Sequence, residues 1–209
     1  MGSLPGKPSV EKLFSTPVVI DHLPGAAAIN AALEAVILAR RAADAGIERS
    51  NIGGWHSDLD LLRWATDAVR PVVARAVELA DANTIDLQAR PGERRGWLLE
   101  AWANVSEAES GNAAHHHGGC YWSAVYYVRV GKGEGGELAL QDPRMPLLDM
   151  HAPFLRFREA GGEQALQIRP SSGMLILFPS WLVHSVARWR GSQPRISVAL
   201  NLTAPPLPR

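Results

Sequence analysis

AAHHHGGCYWSAVYYVRV, residues 113–130, is the stretch whose reading decides the architecture. Its aromatic and β-branched second half predicts a buried strand over 121–130. In an extended backbone successive side chains point to opposite faces, so His115 and His117 share one face while His116 takes the other. Two neighbouring imidazoles on one face suit a transition metal. A third waits in LILFPSWLVHSV, residues 175–186, where His184 falls in a second apolar strand pattern.

The chain around this stretch has 209 residues, of which 46% are apolar, enough for one sizeable core and a single domain over 1–209. Within it the reading divides a loose arm (1–11), a helical part (12–85), a strand-rich core (86–203) and a proline-rich tail (204–209). Lysine plus arginine and aspartate plus glutamate both number 21, so no bulk charge calls for nucleic acid or an anionic membrane. The lone Cys120 rules out an intramolecular disulfide and a cysteine-based zinc knuckle, which fits a reducing cytoplasm. No apolar run at the N-terminus reads as a signal peptide or span, so the expected setting is soluble and cytoplasmic.

Taken in order, 16–20 reads as an edge strand. Apolar residues then recur at helical spacing over 26–45, at Ile29, Leu33, Val36, Ile37 and Ala43, with Gly46 as the stop. The segment SNIGGWHS, 50–57, reads as a glycine loop exposing Trp55 and His56. A second helix is expected from Ser57 or Asp58 to about Leu79, with Ser57 and Asp60 resembling a capping box and Pro71 kinking or splitting it. After Asp86 the pattern changes to short strands: 96–105, 121–130, 137–141, 165–168, 173–178, 183–189 and 195–202. Two helices followed by such strands predict an α+β domain with a sandwich or barrel core. The connection 143–162, which carries His151, has the length of a lid or substrate-binding segment.

On the last strand Arg195, Ser197 and Ala199 lie on one face and Ile196, Val198 and Leu200 on the other, toward the core. An arginine and a serine on the face that carries a metal would clamp a carboxylate, the guanidinium supplying a bidentate fork and the hydroxyl one more donor. Asn104, on the strand before the histidines, is placed to hold substrate or a co-substrate. Pro179 and Trp181 shape the turn that presents His184.

The order of these motifs resembles the double-stranded β-helix (jelly roll, cupin-like) of the iron(II)/2-oxoglutarate-dependent oxygenases. The carriers are His-x-His, the strand ending VYYV, Gly-Gly-Glu-Leu, the apolar strand before the distal histidine, and Arg-x-Ser. SNIGGWHS, WAN at 102–104, WSAVYYV, QDPR at 141–144 and LFPSWLVHSV resemble more narrowly a small bacterial and phage branch of that superfamily. The resemblance spans 50–201. It implies a non-haem iron(II) enzyme that uses 2-oxoglutarate and dioxygen to hydroxylate an unactivated C–H bond of a small molecule or peptide, releasing succinate and CO2. It implies His115, His117 and His184 as metal ligands. For 2-oxoglutarate it implies Arg195 on the distal carboxylate, helped by Ser197 and Tyr127, with Asn104 as a further contact to 2-oxoglutarate or substrate.

The chain departs from the superfamily at one ligand, because the usual triad is two histidines and a carboxylate. His117 stands where that carboxylate is expected, and Glu107, Glu109, Glu137 or Asp142 is the alternative third ligand. Two other functions stay open at this level: a three-histidine cupin-type dioxygenase that needs no 2-oxoglutarate, and a metal-stabilised module that holds a small ligand without turnover. The reading also leaves a homo-oligomer open.

Overall fold

The computed structural model describes residues 14–87, 96–147, 150, 154–155 and 164–205. The arm expected over 1–11 lies outside the described residues, as do 206–209 of the tail and most of the later part of the 143–162 connection, including His151.

In chain order the elements are β1 (Val19–His22), α1 (Ala26–Ala43), β2 (Asn51–Ile52), β3 (Trp55–His56), α2 (Leu61–Trp64), α3 (Thr66–Ala82), β4 (Leu98–Ser106), β5 (Gly111–His115), β6 (Trp122–Arg129), β7 (Gly133–Glu134), β8 (Leu138–Gln141), β9 (Ala165–Ile168), β10 (Met174–Pro179), β11 (His184–Val186), β12 (Arg190–Gly191) and β13 (Arg195–Thr203). They form a six-stranded sheet in the order β1-β10-β6-β13-β4-β3 and a five-stranded sheet in the order β2-β5-β11-β8-β9, with β7 and β12 as a separate ribbon. All the pairings within these sheets are antiparallel. This is the double-stranded β-helix expected from the sequence, an α+β arrangement with its helices before the core.

Period-two alternation gives the large sheet two faces, and each builds its own apolar cluster. Trp122, Ala124, Tyr126 and Val128 of β6, with Leu175, Leu177, Ile196, Val198 and Leu200, meet Leu33 and Ile37 of α1 and Val69, Val72 and Ala76 of α3. The opposite face sends Tyr127, Ile176 and Phe178 between the two sheets, where Leu138, Leu140 and Ile168 close a second cluster. Fully burying a side chain such as Leu33 or Ile37 contributes about 1.5–3 kcal/mol, so α1 is held by its stripe rather than by a cap. Indeed Gly25 at its start makes no side-chain cap. Polar ties fix its angle: Tyr126 donates to Asn30 Oδ1 at 2.6 Å, and Arg129 pairs with Glu34. No helix among the described residues is long and apolar enough to cross a membrane.

Several boundaries depart from the sequence reading, each for a local reason. The second helix divides at Ala65 (φ −123°) and not at Pro71, which lies inside α3. There the Thr66 hydroxyl donates to the Leu62 and Arg63 carbonyls at the end of α2. Pro71 forfeits only one N–H bond, a loss that the buried stripe of α3 absorbs. Ser57 does not cap α2. Its hydroxyl donates to Asp58 O (2.6 Å) and accepts the Ala103 N–H (2.9 Å), which ties the loop to β4.

SNIGGWHS is a pair of strand edges, β2 on the small sheet and β3 on the large one, and Trp55 and His56 are 7% and 4% exposed rather than open to solvent. The first strand lies at 19–22, not 16–20. The strand expected over 183–189 ends at Val186, after which the Ala187 and Trp189 N–H groups donate to the Glu137 and Ser110 carbonyls.

Candidate metal centre

β5 ends on His115 and β11 begins on His184, and the two residues face each other in the antiparallel register of the small sheet. Their ring centroids are 4.3 Å apart. His117 reaches the same spot by another route than strand alternation, because β5 has already ended. Its backbone N–H donates to the Ser180 carbonyl at 2.9 Å, in the turn between β10 and β11. Its ring lies 5.0 Å from that of His115 and 5.2 Å from that of His184. One ring nitrogen from each histidine lies within 4.8 Å of the other two. His116 is exposed and takes no part.

The hydrogen bonds show which nitrogens are free. His115 Nδ1 is 2.7 Å from Ala113 O, and His184 Nδ1 is 2.9 Å from Leu182 O. A carbonyl only accepts, so both Nδ1 atoms carry the proton and both Nε2 atoms present a lone pair. Burial holds all three imidazoles neutral: the pKa of His184 is pushed down to about 3 and that of His117 to about 4, and that of His115 is lowered as well. Neutral imidazoles with oriented lone pairs on three converging rings are the donor set of a borderline transition metal.

Among the described residues the cluster contains no carboxylate. Glu107 pairs with Arg41 at 2.6 Å, Asp142 with Arg144 at 2.5 Å and Glu109 with Arg190 at 3.4 Å. Glu137 lies near enough to Arg195 to favour its charge.

The histidines open onto a cavity between the sheets that Asn104, Tyr127, Arg195 and Ser197 also line. Register explains the grouping. Ser197 of β13 stands opposite Asn104 of β4 on one side and Tyr127 of β6 on the other, so the three form one row across the large sheet. Arg195, two residues along, is 2% exposed. Its Nη1 donates to Ser197 Oγ at 3.4 Å, while its Nε and the Tyr127 hydroxyl have no hydrogen-bond partner among the described residues. Burial lowers the pKa of Arg195 and raises that of Tyr127 to about 12. A buried cation with open donors beside a phenol with an open O–H is costly unless an anion completes it. Gly136 (φ +73°) makes the room: a Cβ there would lie 3.2 Å from both Arg195 Nε and the Trp189 ring.

Sequence reasoning missed other groups at the site. Ser50 Oγ lies 3.3 Å from His115 Nε2 and takes an amide hydrogen of Asn112 at 3.3 Å. Trp102 stands between His56, stacked at 5.7 Å, and His117, at 5.6 Å. Asn201 approaches His117 at 3.5 Å and is itself bonded to Ser123. Asn201 could have been found by carrying the alternation of Arg195, Ser197 and Ala199 one step further, whereas nothing in a glycine loop marks Ser50.

Residues 100–201, which carry the three histidines, Asn104, Tyr127, Arg195 and Ser197, match the family model described as "Putative 2OG-Fe(II) oxygenase". No curated protein sequence matches the chain. Solved structures of similar fold include a prolyl-4-hydroxylase from Pseudomonas putida (15% identity, 92% of this chain and 95% of that chain, TM-score 0.60). A second is a prolyl hydroxylase from Trichoplax adhaerens in complex with a hypoxia inducible factor peptide fragment (13% identity, 90% and 83%, TM-score 0.63). A third is HygX from Streptomyces hygroscopicus with nickel and 2-oxoglutarate bound (16% identity, 90% and 83%, TM-score 0.54). Over residues 100–201, just under half of the chain, the sequence is thus similar to the 2OG-Fe(II) oxygenases, and that segment carries the three-histidine centre inside a double-stranded β-helix.

Proposed function

We propose that this protein hydroxylates an unactivated C–H bond of a small molecule or peptide, with His115, His117 and His184 as the ligands of iron(II) and Arg195 as the anchor of 2-oxoglutarate. The observation that carries the co-substrate assignment is the buried Arg195, whose Nε lacks a partner next to the open Tyr127 hydroxyl, in the cavity that the histidines share. A dicarboxylic acid supplies what that pair lacks. The distal carboxylate accepts from the guanidinium, with the Ser197 and Tyr127 hydroxyls as further donors and Asn104 beside them.

The chemistry supplied by iron(II), 2-oxoglutarate and dioxygen together is oxidative decarboxylation of the co-substrate to succinate and CO2, coupled to oxidation of the substrate. The protein's part is to bind, orient and exclude water. The Ala113 and Leu182 carbonyls hold His115 and His184 in the ligating tautomer. Three neutral imidazoles leave the full charge of a divalent ion for a dianion to meet, where a carboxylate ligand would cancel part of it. Leu138, Phe178 and Val186 give the cavity an apolar wall that keeps bulk water from the reacting groups.

The test is succinate formation from 2-oxoglutarate with iron(II) and ascorbate, screened over amino acids, peptides, nucleobases and small metabolites. Expected is turnover that depends on 2-oxoglutarate and is stimulated by one substrate class. Oxygen consumption without 2-oxoglutarate would instead support the direct three-histidine dioxygenase, and tight metal retention with no oxygen consumption the binding module.

A further inference from the structure

The inward face of β13 continues past the clamp to Asn201, which is 5% exposed. Opposite Asn201 in the β13–β6 register stands Ser123, 3% exposed, whose Oγ is 3.0 Å from Asn201 Oδ1. The nitrogen end of the same carboxamide lies 3.5 Å from His117 Nδ1. A buried polar chain Ser123–Asn201–His117 therefore runs from the large sheet to the one histidine of the cluster whose Nδ1 is bonded to no backbone carbonyl. His115 and His184 have their carbonyls, two residues upstream in each case. His117 has Asn201.

We propose that Asn201 is a positioning residue of the metal centre: its carboxamide oxygen accepts the Nδ1–H of His117 and leaves the Nε2 lone pair for the metal, while its NH2 group is held by Ser123 Oγ. This rests on the three-histidine reading above. The argument for orientation is chemical. With the amide nitrogen toward the ring, Nδ1 must be the acceptor, the proton sits on Nε2 and the lone pair is spent on Asn201. Such a histidine is no ligand. A half-turn about Cβ–Cγ exchanges the two ends within the same outline. The Ser123 hydroxyl both donates and accepts, so it serves either orientation. His117 needs this support more than its neighbours do, because it stands beyond the end of β5 and no strand pairing aims its ring.

The test uses zinc(II) alone as a redox-silent probe of the full chain. Zinc affinity is measured by competition with a chromophoric chelator in the parent and in His117→Ala, Asn201→Leu and Asn201→Asp, and nitrogen-15 spectra of zinc-loaded parent report the His117 tautomer. Asn201→Leu should weaken zinc binding about 10- to 100-fold, the usual scale for losing the partner that orients a ligand. Asn201→Asp offers an oxygen at both ends, so it should bind zinc at least as tightly as the parent, and the parent should show the Nδ1–H form of His117. If Asn201→Asp binds as weakly as Asn201→Leu, or if His117 is the Nε2–H form, the positioning role is wrong. Should the leucine variant fail to fold, the aspartate variant and the tautomer still decide. If His117→Ala binds zinc like the parent, the three-histidine reading itself falls; if His117→Ala weakens binding and Asn201→Leu does not, only the role of Asn201 falls.

Discussion

The guanidinium carbon of Arg195 lies 5.4 Å from the centroid of the Tyr127 ring, so the buried cation rests on an aromatic face instead of a carboxylate. That contact orients the guanidinium and leaves Nε without a hydrogen-bond partner among the described residues. Arg195→Met keeps the apolar stem and deletes the charge-assisted fork. It should weaken 2-oxoglutarate by about 2–4 kcal/mol, roughly 30- to 1000-fold, with iron(II) affinity unchanged. Titrating 2-oxoglutarate anaerobically into the iron(II) protein and following its visible charge-transfer absorption measures this. A variant that titrates like the parent would make Arg195 a structural arginine.

Tyr127→Phe removes one neutral donor from the same pocket and should cost about 0.5–1.5 kcal/mol, roughly 2- to 10-fold in the same titration. A loss as large as that of Arg195→Met would mean that Tyr127 acts on more than the carboxylate.

At the histidines, His184→Ala removes the residue in direct register with His115, and no other histidine of β11 replaces it. Iron stoichiometry and 2-oxoglutarate decarboxylation should both collapse. His117→Asp converts the set to two histidines and a carboxylate, and this variant should still bind iron(II). Full iron content in His184→Ala sinks the ligand assignment.

The pH dependence of stability should show in the pair that joins β1 to α3. Arg75 Nε is 2.7 Å from Asp21 Oδ2, and this hydrogen bond is the main reason the Asp21 carboxyl titrates below its ordinary value of 3.8 in the fold. A carboxyl with a depressed folded pKa binds fewer protons than in the unfolded chain, so its stabilisation is present above the ordinary value and fades as pH falls through the folded one. Asp21→Asn should therefore be less stable than the parent in urea at neutral pH, with the gap closing in acid. A gap that persists unchanged at about pH 2, below the ordinary aspartate range, would assign the loss to packing.

Gly46→Ala tests the junction between α1 and β3. Gly46 has φ +77°, and an added Cβ would lie 2.5 Å from the His56 carbonyl oxygen and 2.7 Å from Trp55 Cδ1. Strain of this kind costs of order 1–3 kcal/mol, which for a chain of this size lowers the thermal midpoint by about 2–12 °C. An unchanged midpoint would show that the loop moves aside freely.

The sequence by itself determined which side chains face which way along each strand, because the β period of two needs no partner to be read. The split of Tyr126 from Tyr127, the core-facing Ile196, Val198 and Leu200 and the opposite face of Arg195 and Ser197 were all legible, and so were the stripe of α1 and the candidacy of His184. Pairing was not. That His115 meets His184 follows from the antiparallel register of β5 and β11, that Asn104, Ser197 and Tyr127 form one row follows from strands on both sides of β13, and both depend on loop closure between segments far apart in the chain. The burial of Trp55 and His56, the break at Ala65 and the approach of His117 through a backbone bond to Ser180 share that origin. Tertiary structure decided them because each is a contact of one element with another, and local composition carries no record of the element on the far side.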